Sequence, residues 1–108
     1  MRGDVARAAP VFAALGDETR LELVARLSAE GPLSIVRLTE GASVTRQAVT
    51  KHLQALADAG LVKSSRRGRE RIWQIRTQRL AEAGRALEQI SREWDRALDR
   101  LRAFVEEG

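Results

Sequence analysis

The chain has 108 residues, 44% of them hydrophobic and 31% charged, with a net charge of +4. That composition suits one soluble folded domain and excludes a disordered chain or a protein with two cores. It contains no cysteine, which excludes disulfide scaffolds and thiolate metal sites. The first seven residues hold no signal-peptide core, and no apolar run approaches the roughly 20 residues that span a bilayer. A cytoplasmic location without membrane contact is expected.

The positive charge is unevenly spread. Residues 1–76 carry 13 Lys/Arg against 8 Asp/Glu, whereas residues 77–108 carry 6 against 7. The density peaks at Lys63, Arg66, Arg67, Arg69 and Arg71, which have only Glu70 among them. Such a cluster suits a polyanion, and it equally suits a solvated hairpin.

Residues 4–9 read as a loose lead-in. Pro10 fits the first position of a helix, where its missing N–H costs nothing, and that short helix runs through Leu15 with Val11, Phe12 and Leu15 apolar. Gly16 ends it. Asp17 is the expected N-cap of a second helix, with Glu18 well placed against the helix dipole. Leu21, Val24 and Leu27 fall at helical spacing toward a core, with Leu23 flanking. Glu30-Gly31-Pro32 stops the helix. Leu33-Ser34 fits a very short strand, and Ser34 also fits the cap of a third helix, Ile35–Glu40, with Ile35 and Leu38 inward. Gly41-Ala42-Ser43 is a tight turn.

Residues 44–62 are the stretch around which the chain is organised. Thr45 is the expected cap of a fourth helix, and Val49, Leu53 and Leu56 form its buried stripe. Gln47, Thr50, Lys51, Gln54 and Asp58 then fall on the opposite side, with Arg46 in the exposed first turn. Arg and Lys suit guanine edges, Gln suits adenine, and Thr offers a methyl and a hydroxyl to several edges. A surface helix can carry the same residues without that role. Two helices joined by a short glycine-containing turn match the helix-turn-helix pattern.

Residues 61–66 and 70–76 read as two strands around the turn Arg67-Gly68-Arg69, with Trp73 and Ile75 on the core side. Residues 78–106 read as one long helix capped by Thr77. Leu80, Leu87, Trp94 and Leu101 recur every seven residues, interleaved with Ala83, Ile90, Ala97 and Phe104, an a/d seam that one helix cannot bury by itself. Part of that seam can pack on its own domain, and its length favours a second copy. Trp94 reads as a packing anchor.

The segments ALGDETRLELVARL, TRQAVTKHLQALADAGLV and RRGRERIWQI, within residues 9–76, resemble the ArsR-type winged-helix repressors. The tail REWDRALDRLRAFVEE resembles a subgroup with a tryptophan-bearing last helix. The resemblance implies a homodimeric regulator that binds a palindromic operator in double-stranded DNA and pairs through its first and last helices. It departs from the metal-sensing members: Ser34-Ile35-Val36 stands where they place cysteines, and no histidine follows His52. Neither a metal nor a cofactor is expected, and no effector is identified.

The expected architecture is therefore mostly α with a small β-hairpin wing. Residues 1–76 form a winged helix-turn-helix and residues 77–108 a dimerisation helix of the same compact domain. Arg46, Gln47, Thr50 and Lys51 are the expected base-side residues, with Gln54 beside them. Thr45, His52, Lys63, Arg66, Arg67 and Arg69 are the expected phosphate contacts. Leu80, Leu87, Ile90, Trp94, Leu101 and Phe104 are the expected dimer seam. His52, the only histidine, lacks the companions of a triad or metal site, and no catalytic motif occurs, so an enzyme is not expected. The competing expectation is a winged-helix module that binds protein rather than DNA.

Overall fold

The computed structural model describes residues 2–107, without the side chains of Arg2 and Asp4. In chain order the elements are α1 (Arg2–Leu15), α2 (Glu18–Glu30), β1 (Leu33–Ser34), α3 (Ile35–Glu40), α4 (Arg46–Asp58), β2 (Val62–Arg67), β3 (Glu70–Ile75) and α5 (Thr77–Glu107). The strands form one antiparallel sheet in the order β1-β3-β2. The fold is a winged helix-turn-helix with a long terminal helix, as the sequence predicts.

Three helix starts are set by local chemistry. Asp17, Ser34 and Thr45 each accept a hydrogen bond from the backbone N–H three residues on, at 3.0, 3.2 and 3.1 Å. These contacts satisfy donors that a helix leaves orphaned at its first turn. Gly31, with φ 84, ends α2 in a backbone conformation that disfavours side-chain-bearing residues. The core gathers Leu23, Val24 and Leu27 of α2, Ile35 and Leu38 of α3, and Val49, Leu53 and Leu56 of α4. Leu61, Val62 and Trp73 close it from the wing.

The structure corrects several expectations. Helix α1 spans Arg2–Leu15, so residues 4–9 are helical and Pro10 lies inside the helix rather than at its start. Alanines favour the helix, and α1 lies along α5 with Ala8, Val11, Ala83 and Ala86 buried, which offsets the hydrogen bond that proline cannot make. Phe12 stays exposed. On α2, Leu23 is buried and Leu21 is 53% exposed, because Leu23, Val24 and Leu27 centre the apolar arc away from position 21. Arg67 belongs to β2, leaving Gly68-Arg69 as a two-residue turn. Thr77 is the first residue of α5 rather than its cap. Leu80 packs against the protomer's own core.

The side chain of Arg26 holds the helix-turn-helix together. Its Nη1 and Nη2 donate to the carbonyls of Leu38 (3.1 Å) and Arg37 (3.2 Å) near the end of α3, and its Nε donates to Glu30 (3.2 Å). A Cβ on Gly41 would stand 2.5 Å from Arg26 Nη1. The φ of Gly41, −92, suits any residue, so the constraint there is space: a side chain would displace the Arg26 guanidinium from its place. Replacing Arg26 or Gly41 by Ala should each lower stability by about 1–2 kcal/mol, and the double variant should cost little more than either. Additive losses in urea unfolding would show that the two residues do not share one contact.

Candidate nucleic-acid interface

The turn after α3 delivers the chain to Thr45, whose cap starts α4 with Val44 packed against the core. Burial of Val49, Leu53 and Leu56 fixes the rotation of α4 about its own axis. The opposite side of its first two turns is therefore exposed, and Arg46, Gln47, Thr50 and Lys51 line an open concavity of about 500 Å³ there. Thr50 Oγ1 donates to the Arg46 carbonyl at 2.9 Å, which fixes its rotamer. The structure thus brings four of the expected base-side residues onto one surface.

Gln54 and His52 stand apart from that group. Gln54 Nε2 donates to Asp58 Oδ1 at 3.2 Å, next to a negative charge that opposes phosphate. His52 is part-buried, with Nδ1 3.7 Å from Asp17 Oδ2 and 3.5 Å from Arg20 Nη1. That edge of the ring meets the N-terminus of α2 rather than the open side of α4. Arg20 also binds the Ala14 carbonyl through Nε, so the end of α1, the cap of α2 and the middle of α4 meet at these side chains. The Asp17 carboxyl is held below its ordinary range, first by the hydrogen bond from the Arg20 backbone N–H. Partial desolvation opposes this, and the charges of His52 and Arg20 reinforce it.

The hairpin register sorts the basic residues of the wing. Val62 pairs with Ile75, Ser64 with Trp73 and Arg66 with Arg71, so Arg66 and Arg71 continue the face that carries the core. Lys63 and Arg67 project from the other face, with Arg67 opposite Glu70. Gly68 (φ 66) opens the turn and Arg69 completes it, the arrangement of a II′ hairpin. Arg71 Nη1 donates to Ser64 Oγ at 2.8 Å, drawing its charge back along the hairpin. Sequence reasoning placed Arg67 and Arg69 at the tip and Lys63 and Arg66 on the first strand without distinguishing their faces; counting back from the Gly68 turn was the signal that could have separated them.

Among the described residues no group of three His, Cys, Asp or Glu is placed to hold a metal ion, and no helix is long and apolar enough to cross a membrane.

This geometry has close counterparts among known proteins. A family model described as a helix-turn-helix domain matches residues 15–65. An uncharacterised helix-turn-helix transcriptional regulator of Bacillus subtilis, YuzN, is 44% identical over 68 residues, covering 57% of this chain and 74% of the relative. The solved structure of an ArsR-like transcriptional regulator from Rhodococcus sp. RHA1 superposes with a TM-score of 0.78 at 41% identity, covering 94% of this chain and 95% of that one. The chain belongs to the ArsR family. A more distant fold neighbour is Mb0332 of Mycobacterium bovis, described as a homodimeric winged helix-turn-helix DNA-binding domain. It superposes with a TM-score of 0.60 at 23% identity, over 88% of this chain and 81% of that one. This ArsR-family chain is thus a DNA-binding transcriptional regulator.

The Asp17 contacts predict a pH dependence. A carboxyl whose folded pKa lies below its unfolded value adds stability above the unfolded range and loses it as pH falls through the folded value. Asp17→Asn keeps an oxygen acceptor at the cap but removes the charge. Its urea midpoint should fall below that of the unmodified chain at neutral pH, and the gap should narrow as pH falls below the ordinary carboxylate range. A gap of constant size across that range would refute the electrostatic role.

Proposed function

We propose that the protein is a homodimeric repressor that occludes a palindromic operator, reading it with the first half of α4. The observation that carries the reading is the exposed surface of Arg46, Gln47, Thr50 and Lys51, presented on one side of a helix whose other side is locked into the core. Each protomer sets these side chains in a major groove. Arg69 at the wing tip and Lys63, Arg66 and Arg67 on its two faces then lie over flanking backbone. Thr45 at the head of α4 adds a phosphate contact. His52 acts indirectly, by holding α4 against α2.

Pairing through α5 is supported by one continuous apolar stripe. Leu80, Ala83 and Ala86 lie within the protomer, while Leu87, Ile90, Trp94, Leu98, Leu101 and Val105 continue the same line uncovered. Trp94 is 68% exposed. Leu98 and Val105 join the stripe because positions seven apart drift by about 20° on a straight α-helix. Phe104 lies at its edge. A second copy is the occupant that satisfies two-fold DNA as well as the stripe, and the Mycobacterium bovis relative is described as a homodimer. Reading helices about 34 Å apart then meet successive turns of one DNA face.

Selection of bound sequences from a random DNA pool tests this reading. A two-fold motif with affinity falling steeply as salt rises is expected, and equal weak binding to all sequences would reject it in favour of a protein-binding module. Arg46→Ala or Gln47→Ala should lose about 1–3 kcal/mol at particular base pairs, whereas Arg69→Ala should weaken all sequences alike and shallow the salt slope by about one. The reverse pattern would exchange reader and clamp. Trp94→Glu should give monomers by light scattering with poor operator binding; an intact dimer would remove α5 from the interface.

A further inference from the structure

A second basic site lies away from the reading surface. The start of α5, the end of α4 and one side of α1 enclose a cleft of about 320 Å³ lined by Arg7, Gly60, Arg76, Gln78, Arg79 and Glu82. Among the described residues, its lining carries the guanidinium groups of Arg7, Arg76 and Arg79 and the carboxylate of Glu82, with no hydrophobic side chain. Gly60, with φ 79, forms part of the wall: a Cβ there would stand 3.2 Å from Arg79 Cγ.

Glu82 Oε2 is buried and accepts no hydrogen bond among the described residues. It stands 4.0 Å from Arg79 Nη1, beyond hydrogen-bonding reach. The Arg76 backbone N–H donates to the Leu61 carbonyl, which anchors the residue, while its guanidinium makes no ion pair or hydrogen bond among the described residues. The first turn of α5 contains no acid to offset these charges. Planar guanidinium forks match phosphate oxygens two at a time.

DNA held by α4 does not account for this cleft. Arg46 and Gln47 open α4, Gly60 lies beyond its far end, and a helix of 13 residues is about 20 Å long. The cleft instead adjoins α5, which carries the apolar stripe, and the base of the wing.

We propose that this cleft binds a small phosphate-bearing ligand through Arg76 and Arg79, with Arg7 and Gln78 beside them, and serves as the effector site. The binding itself stands on the cleft alone; the effector role rests on the DNA-reading function proposed above. A ligand that fits one placement of α5 better than another shifts the relative position of the two reading helices.

The test uses the full chain and inorganic pyrophosphate at fixed ionic strength, followed by the arginine Nε–H resonances. Saturable shifts at Arg76 and Arg79 are expected, and Arg76→Gln should weaken binding by about tenfold or more. Glu82→Gln should tighten it, a gain that misfolding cannot mimic, while Arg67→Gln with Arg69→Gln should leave it unchanged. Shifts confined to Arg46, Arg66, Arg67 and Arg69, or no saturation, would overturn the site. Inorganic phosphate and a sugar monophosphate, titrated in parallel, should move the same two resonances and show which source binds better. Pyrophosphate should also change operator affinity of the unmodified chain and not of Arg76→Gln. Binding without that change would overturn the effector role, and absence of operator binding at any pyrophosphate level would instead count against the DNA reader.

Discussion

The point where the chain leaves α3 is set by a single guanidinium. Arg26 reaches from α2 to the carbonyls near the end of α3 and so fixes where the chain leaves that helix. Hydrophobic burial alone holds α3 and α4 near α2, but it is not directional, and a six-residue helix has little cooperativity of its own. The hydrogen bonds add the direction. From that point the turn, the Thr45 cap and the orientation of Arg46 and Gln47 follow within a few residues.

A second contact works from the opposite side. Asp17 caps α2 and also faces His52 on α4, so one carboxylate both starts a helix and contacts the neighbour that presents the proposed reading surface. Arg20 adds the end of α1 to the same junction. The junction thus gathers the end of α1, the cap of α2 and the middle of α4.

What could be read from the sequence was whatever is decided locally. Asp17, Ser34 and Thr45 act on donors three residues away, and the buried stripe of α4 is a matter of periodicity, so these features and the open face of α4 were legible in advance. The extension of α1 through Pro10 was not, because proline's local penalty is outweighed by packing on α5, more than 70 residues distant in the chain. Leu21 and Leu23 exchange roles because the direction of the core is set by partners rather than by spacing. The turn at Gly68 was legible, but the division of the wing basics between two faces needed the register. Arg26 gives no signal in the sequence, because its partners are α3 carbonyls 11 and 12 residues away that only the fold brings beside it.

The caps also bear on how quickly the regulator can search DNA. Thr45 and the bond from Thr50 to the Arg46 carbonyl complete the first turns of α4 in the free protein. Nothing in the backbone of the proposed reading helix has to fold on arrival, so the ordering entropy of association is confined to a few long side chains, on the order of 0.5–1.5 kcal/mol each. A preformed helix carrying mobile charged tips can touch a site, fail to match it and leave without refolding. Encounter is then set by diffusion and charge, and the difference between right and wrong sites is expressed in residence time.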